Sequence, residues 1–397
     1  MKAVVIGAGI VGVTAALTLA EADIDVVMLE RGQIAGEASG LNAGIIGGGG
    51  WGNAPDVNVA LRMGSRDRYI DLVDDRGHEI GFDRTGTLTL IRTEQEWQWA
   101  QATVHTDRQA GHSYELLSTD ALLDLEPAAD PTLLGAIYDP LAARAEPVAA
   151  THAFASEAAL AGVTTLIEST VGALRPVTGG GWEVETLGPQ AGTFGADVVI
   201  VAAGPWCAEI GAMVDINVPV VPVRGQMWAT APQPPLLRHA IAAAESSRWW
   251  ALDQPAAIQP PNLTHIGDER TTRHLYGRQR PNGQIVFGGD RVLSQDRAVD
   301  PDGITVNHGH VAELVPEVSA LAPIRTWAGL MPFTTDGRPI IGPVEGFDGL
   351  ILAGGLASGG FGRGPMAGQL AAEFAMDRAP SFDMTPVLPD GRVQKRN

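Results

Sequence analysis

The amino-acid sequence predicts an α/β fold, and three observations predict it. Residues 1–30 run as strand, glycine turn, helix and strand. A second strand, glycine loop and helix stands near the C-terminus. Between them lie short alternating strands broken by proline- and glycine-rich turns.

The N-terminal unit is the most informative. Ala3-Val4-Val5-Ile6 is an apolar run suited to a buried parallel strand. Gly7, Gly9 and Gly12 then form G-x-G-x-x-G, a helix of small residues follows over Val13–Ala20, and Asp25–Leu29 is a second strand ending at Glu30. Gly7 allows the tight turn, Gly9 lets the backbone approach a pyrophosphate, and Gly12 lets helix and strand pack closely. Helix N–H groups at Ile10 and Val11 and the helix dipole favour phosphate. Glu30 stands where an acid accepts hydrogen bonds from an adenosine ribose and disfavours a 2′-phosphate. Together these features mark a dinucleotide site.

The chain continues with Arg31 and a loop through Ser39, Asn42, Ala43 and Gly44 to a glycine run ending at Gly50, a backbone able to lie flat against a ligand. Asn58–Arg76 and Glu94–Gly111 read as helices, with Trp97 and Trp99 as packing residues, and Ser118 caps a short helix ending near Glu126. Pro147–Gly162 reads as an alanine-rich helix, and Thr164–Ile167 and Val171–Leu174 as strands of the same sheet. Ala196–Val201 is a buried strand running into Ala203, Gly204 and Trp206, a further backbone approach at a strand's carboxyl end. Val218–Asp290 reads as strands and loops, including a hairpin turned at Pro281-Asn282-Gly283. Val306–Leu314 reads as a helix and Trp327–Gly342 as a hairpin. Leu350–Ala353 leads into the loop Gly354–Gly364 and a helix opening at Pro365, whose positive end would favour negative charge on a ring carbonyl. The tail from Asp377 is polar and expected at the surface.

With 397 residues, 45% hydrophobic and 18% charged, the chain is long enough for two domains sharing a core. The formal net charge of −19 argues against nucleic acid and anionic membrane surfaces as partners. Cys207 is the only cysteine, which excludes disulfides within the chain and cysteine-rich metal sites. The first strand starts at residue 3, no apolar run reaches a membrane span, and the expected location is the cytoplasm.

Taken in order, these segments resemble the D-amino acid oxidase superfamily of FAD enzymes, in the manner of glycine oxidase, the sarcosine oxidase β subunit and hydrogen cyanide synthase-type dehydrogenases. The carriers are Gly7, Gly9, Gly12 and Glu30; Ser39, Asn42, Ala43 and Gly44; Ala203, Gly204 and Trp206; Gly329-Leu330; Thr335-Asp336 with Pro339; and Gly354–Gly362. The resemblance implies a Rossmann-type FAD-binding domain over 1–80, 147–212 and 325–397, and a discontinuous antiparallel β-sheet substrate domain over 81–146 and 213–324. It implies non-covalent FAD held by the residues above with Ile10, Val11, Arg31, Val171, Gly355, Ser358, Gly359, Gly360, Phe361 and Gly362. It also implies oxidation of the C–N bond of an amino acid or secondary amine by hydride transfer to the flavin, with O2 or another electron acceptor and a homo- or hetero-oligomer in view.

Where glycine oxidase-like and sarcosine oxidase-like members carry substrate-binding cations, this chain has Met331, Ser358 and Gly362. Glycine and sarcosine are therefore expected to be poor substrates, with Tyr276, Met331, Ser358 and Arg278 as the substrate-side residues and Arg248 and Arg363 in reserve. Two other readings stand beside this one. A flavoprotein subunit passing electrons to a partner or quinone shares the motifs. A nicotinamide-dependent dehydrogenase fits the first thirty residues but leaves the C-terminal glycine loop unexplained.

Overall fold

The computed structural model describes residues 1–380 and 382–396. Ser381 and Asn397, in the tail expected at the surface, lie outside the described residues. Among the described residues no helix is long and apolar enough to cross a membrane.

Two large sheets build the molecule. The first runs Ile340–Pro343, Leu350–Gly354, Val198–Val201, Lys2–Ile6, Asp25–Leu29 and Thr164–Leu166. It is parallel throughout except for the hairpin pairing of its first two strands. Its strands Lys2–Ile6, Val198–Val201 and Leu350–Gly354 are buried on both faces, which is why they read as apolar runs. The second sheet runs Arg325–Thr334, Val220–Ala229, Ile285–Leu293, Tyr276–Gln279, Ala240–Ala243, Thr87–Ile91, Gly135–Asp139 and Glu115–Ser118. Its pairs are antiparallel apart from Ala240–Ala243 with Thr87–Ile91.

Several elements differ from the sequence expectation. The first helix is Ile10–Ala20, so Ile10, Val11 and Gly12 form its opening turn. Val171–Leu174 belongs to Thr170–Pro176, which leaves the parallel sheet and pairs with Trp182–Leu187 in a separate three-stranded sheet; its half-exposed alternation suits that edge position. Trp327–Gly342 is not a hairpin. Arg325–Thr334 pairs with Val220–Ala229 and Ile340–Pro343 with Leu350–Gly354, so the intervening turn carries the chain from one sheet to the other. The segment 325–334, expected with the nucleotide-binding part, is thus a strand of the second sheet. The middle region also contains a helix, Ala244–Leu252. The tail is not all surface: Met384 and Val387 are buried in the core around the first helix.

The last helix, Gly360–Ala375, starts a turn before Pro365. A proline there removes the N–H that would satisfy the carbonyl of Phe361. The Tyr69 hydroxyl donates to that carbonyl instead, at 2.9 Å, from the helix Val57–Asp74. Glycines let this helix lie against the first one. A Cβ at Gly368 would sit 2.2 Å from Thr14 Oγ1, and one at Gly364 2.6 Å from Ile10 Cγ2. Close packing of the two helices sets both N-termini at the same side of the parallel sheet, beside one cleft.

Candidate active site

The cleft encloses about 1610 Å³ out to its open mouth, and residues of both sheets line it. One end is built on the glycine turn. Gly7 has φ +106°, and a Cβ there would lie 2.5 Å from the Ala202 carbonyl; a Cβ on Gly12 would lie 1.8 Å from the Gly7 carbonyl. Gly9, Ile10 and Val11 face the cleft, and Ile10 N–H donates to Ser39 Oγ at 2.9 Å. Glu30 is buried at the second strand's end, its two carboxylate oxygens accepting from Ala8 N–H at 2.8 Å and Gly32 N–H at 2.7 Å. Each oxygen keeps a further lone pair for a ligand hydroxyl. Arg31 stacks 3.4 Å over the Trp206 ring and pairs with Glu37, which also holds Arg297. Val171, Ala203 and Gly204, with Gly204 at φ +54°, complete this wall.

At the middle of the cleft Asn42 folds its own loop. Its side-chain N–H groups go to the carbonyls of Ala38 and Ser39, and its Oδ1 accepts from Gly44 N–H at 2.7 Å. Ala43 and Gly44 stand one layer back from the cleft. Gly44 has φ +78° and no room for a Cβ, which would fall 1.9 Å from the Ala145 carbonyl. Arg278 lies behind them and is corrected from its expected substrate role. Only 1% exposed, it donates to the carbonyls of Ala43 and Ala145 and pairs with Glu146 at 2.7 Å. It is a buried clamp on the loop and does not line the cleft.

The C-terminal glycine loop divides in the same way. Ser358, Gly360 and Phe361 face the cleft, as does Gly329 on the adjoining strand. Gly355, Gly359 and Gly362 do not; they make room for Thr334, for the Arg363 side chain and for the backbone at Ile46 and Gly47. Ala357, a non-glycine residue at φ +50°, precedes Ser358.

The far end is walled by Tyr276, His274, Met227, Met331 and Arg291. Burial raises the Tyr276 phenol pKa, with Arg291 opposing, so the hydroxyl stays protonated. His274 Nδ1 is 3.1 Å from Ser246 Oγ, while its Nε2 is buried without a partner. Burial, reinforced by Arg291, pulls the His274 pKa well below the ordinary 6.5, so the ring is neutral at physiological pH. Of the reserve arginines, Arg248 is paired with Asp253 at 2.7 Å, and Arg363 donates to the Leu356 carbonyl; neither lines the cleft.

His274 and Arg291 are cleft residues that the sequence reading passed over. His274 was within reach of it, since it stands two residues before Tyr276 and shares its face by strand alternation.

The family described as FAD dependent oxidoreductase (DAO) matches residues 2–374. The chain belongs to that family. It is 29% identical over 402 residues to a glycine oxidase of Pseudomonas aeruginosa, covering 99% of each chain. It is 26% identical to a glycine oxidase of Geobacillus kaustophilus, covering 96% of this chain and 94% of the other. The crystal structure of glycine oxidase from that organism superposes with a TM-score of 0.83, at 25% identity and 98% coverage of both chains. FAD is accordingly the cofactor of this flavoprotein, and the residues present fit it. The turn at Gly7–Val11 leaves bare backbone and a helix N-terminus for a pyrophosphate, and Glu30 retains acceptor capacity for a ribose. Cys207 is 1% exposed, its thiol pKa pushed up to about 12 by burial.

Proposed function

We propose that this flavoprotein oxidises the C–N bond of an amino acid or amine to an imine, which water then hydrolyses. One observation carries the reading: a single cleft runs from the dinucleotide turn at Gly7–Glu30 to a wall of Tyr276 and Met331 on the second sheet with His274 beside them. The likeness to glycine oxidases over nearly the whole chain supports the reaction class. Bound FAD, held without a covalent link, supplies the hydride acceptor.

The protein's own residues bind and orient the amine and set its protonation state. An amine must lose its ammonium proton before its C–N bond can be oxidised. His274 Nε2 is neutral, buried and unpartnered in the wall. A neutral ring in the wall, set through Nδ1 at 3.1 Å from Ser246 Oγ, favours the amine bound as its free base over the ammonium. Tyr276 offers a phenolic hydrogen bond, and Met227 and Met331 give an adaptable apolar surface that excludes water. O2 or another acceptor returns the enzyme to its starting state.

Anaerobic mixing of the purified holoprotein with a panel of amino acids and amines tests this. Bleaching of the visible flavin bands by one of them is the expected result, and later admission of air separates oxidase from dehydrogenase. Bleaching by hydroxy acids or polyol phosphates alone would refute it.

A further inference from the structure

Strand alternation does not predict where Arg291 points. On the strand Ile285–Leu293, Val286 packs with Met227 and Tyr276 on the cleft side, whereas Phe287 packs with Trp228 and Ile304 on the opposite side. Strict alternation would send residue 290 to the cleft and residue 291 away from it. The register breaks between them. Arg224 lies opposite Val292 while Gln226 lies opposite Gly289, so Asp290 and Arg291 together oppose the single residue Gly225. Such a bulge exchanges the two faces. Asp290, at φ +60° and 4% exposed, turns to Gln226 Nε2 at 2.8 Å and to Arg270, and Arg291 turns into the cleft.

There the guanidinium has only neutral company. It stacks 4.1 Å over the Trp250 ring, donates from Nη2 to Ser358 Oγ at 2.8 Å and from Nη1 to the Asn262 carbonyl at 3.3 Å. Its Nε is buried without a partner. Among the described residues no carboxylate pairs with it, since Asp290 is committed to Arg270, and the like charge of Arg363 acts on it. Both ends of the Arg291–Ser358 contact follow a non-glycine residue in left-handed backbone, Asp290 and Ala357. Strain of this kind persists where surrounding structure enforces it, often at a functional site.

We propose that Arg291 binds the carboxylate of the substrate, taking over from the cations absent at Met331, Ser358 and Gly362. The assignment rests on the amino-acid reading above. A guanidinium that no carboxylate pairs, with donors left over and reachable from the cleft, is matched by a carboxylate, which accepts two parallel N–H bonds. Trp250 fixes the plane of the fork, Ser358 holds one edge of it, and the Tyr276 hydroxyl lies on the same wall as a second donor. The premise for expecting glycine and sarcosine to be poor substrates, a cleft without a cationic anchor, falls away with this residue.

The test compares wild type, Arg291→Gln and Arg291→Lys, each purified with FAD bound and checked for unchanged unfolding temperature in ligand-free buffer. The substrates are the fastest amino acid in the panel and the amine left by removing its carboxylate. Arg291→Gln is expected to raise KM for the amino acid by roughly 10- to 100-fold, the scale of a lost charge-assisted pair. The amine should be used equally by all three proteins, and Arg291→Lys should recover part of the loss. A small carboxylate such as propionate should raise the unfolding temperature of wild type and not of Arg291→Gln. Equal losses on amino acid and amine, or propionate stabilising both proteins alike, would overturn the assignment. If no amino acid bleaches the wild-type flavin, the reaction reading fails, and the propionate arm still decides the anchor.

Discussion

The two ends of the cleft are made by opposite means. The nucleotide end is shaped by side chains that are missing: Gly7 and Gly12 leave backbone bare because a Cβ at either would collide with a carbonyl. The substrate end is shaped by side chains that are present and aimed, with Arg291 and Tyr276 on strands of the second sheet and His274 just before one of them. Omission is local, decided within one turn and one helix. Aiming depends on a register set by partner strands, by Gly225 opposite a bulge and by Ser358 more than sixty residues further along the chain.

The comparison predicts different failures. Gly12→Val should be the most damaging change, because the colliding atom is main chain and cannot yield; no folded, yellow protein is expected. Gly9→Leu meets only the Ser39 hydroxyl, 2.9 Å from an added Cβ. That protein should fold, yet bind FAD on the order of 100-fold more weakly, about 3 kcal/mol, in a titration of apoprotein. Acid release of flavin from wild type would confirm a non-covalent site, and flavin left in the precipitate would contradict it.

Next in size is the clamp between the two ends. Arg278→Leu leaves the Ala43 and Ala145 carbonyls without their donor and Glu146 with Arg280 alone, and should cost about 2–4 kcal/mol in denaturant unfolding. It should also change the response to acid. Burial alone would raise the Glu146 pKa, but Arg280 and Arg278 outweigh it and hold the carboxyl below its usual range. A depressed carboxyl stabilises the fold above its unfolded pKa, about 4.3, and that contribution is lost as pH falls towards the folded value. Wild type should therefore lose more stability than Arg278→Leu between pH 5 and the acid limit. Equal slopes would remove the pair from the account.

Smaller effects sharpen the substrate end. Tyr276→Phe removes one neutral hydrogen bond and should lower kcat/KM about 3- to 10-fold, with flavin content unchanged. Ala357→Gly should move the other way on stability, adding about 1 kcal/mol by relieving left-handed backbone. A slower flavin reduction in that variant would show that the strain serves the position of Ser358.

The difference between the two ends also explains what the sequence discloses. Gly7, Gly9, Gly12 and Glu30 declare themselves because the spacing of glycines and acid is the whole of their physics. The fold class is legible for the same reason: buried parallel strands are unbroken apolar runs. Helix ends moved by a turn where Pro365 sits inside a helix, because Tyr69, 292 residues before Phe361 in the chain, supplies the donor for the stranded carbonyl. Arg278 carried the chemistry of a substrate ligand and lay buried against Ala43, since nothing local distinguishes a clamp from an anchor. Arg291 stayed hidden because residue type and alternation assign it to the wrong face, and only the pairing partner reveals the bulge.

That bulge gives the flavoprotein an unusual route to new specificity. Substitution alters the identity of a side chain at a fixed place, but the strand Ile285–Leu293 adds a second variable, the number of residues it contains. Losing a single codon between Gly289 and Val292 would restore regular pairing and shift which positions look into the cleft, without touching the glycine turn that holds the cofactor. Insertions and deletions are usually absorbed by surface loops; here one placed inside a sheet would rewrite the substrate wall while leaving the redox half of the enzyme intact.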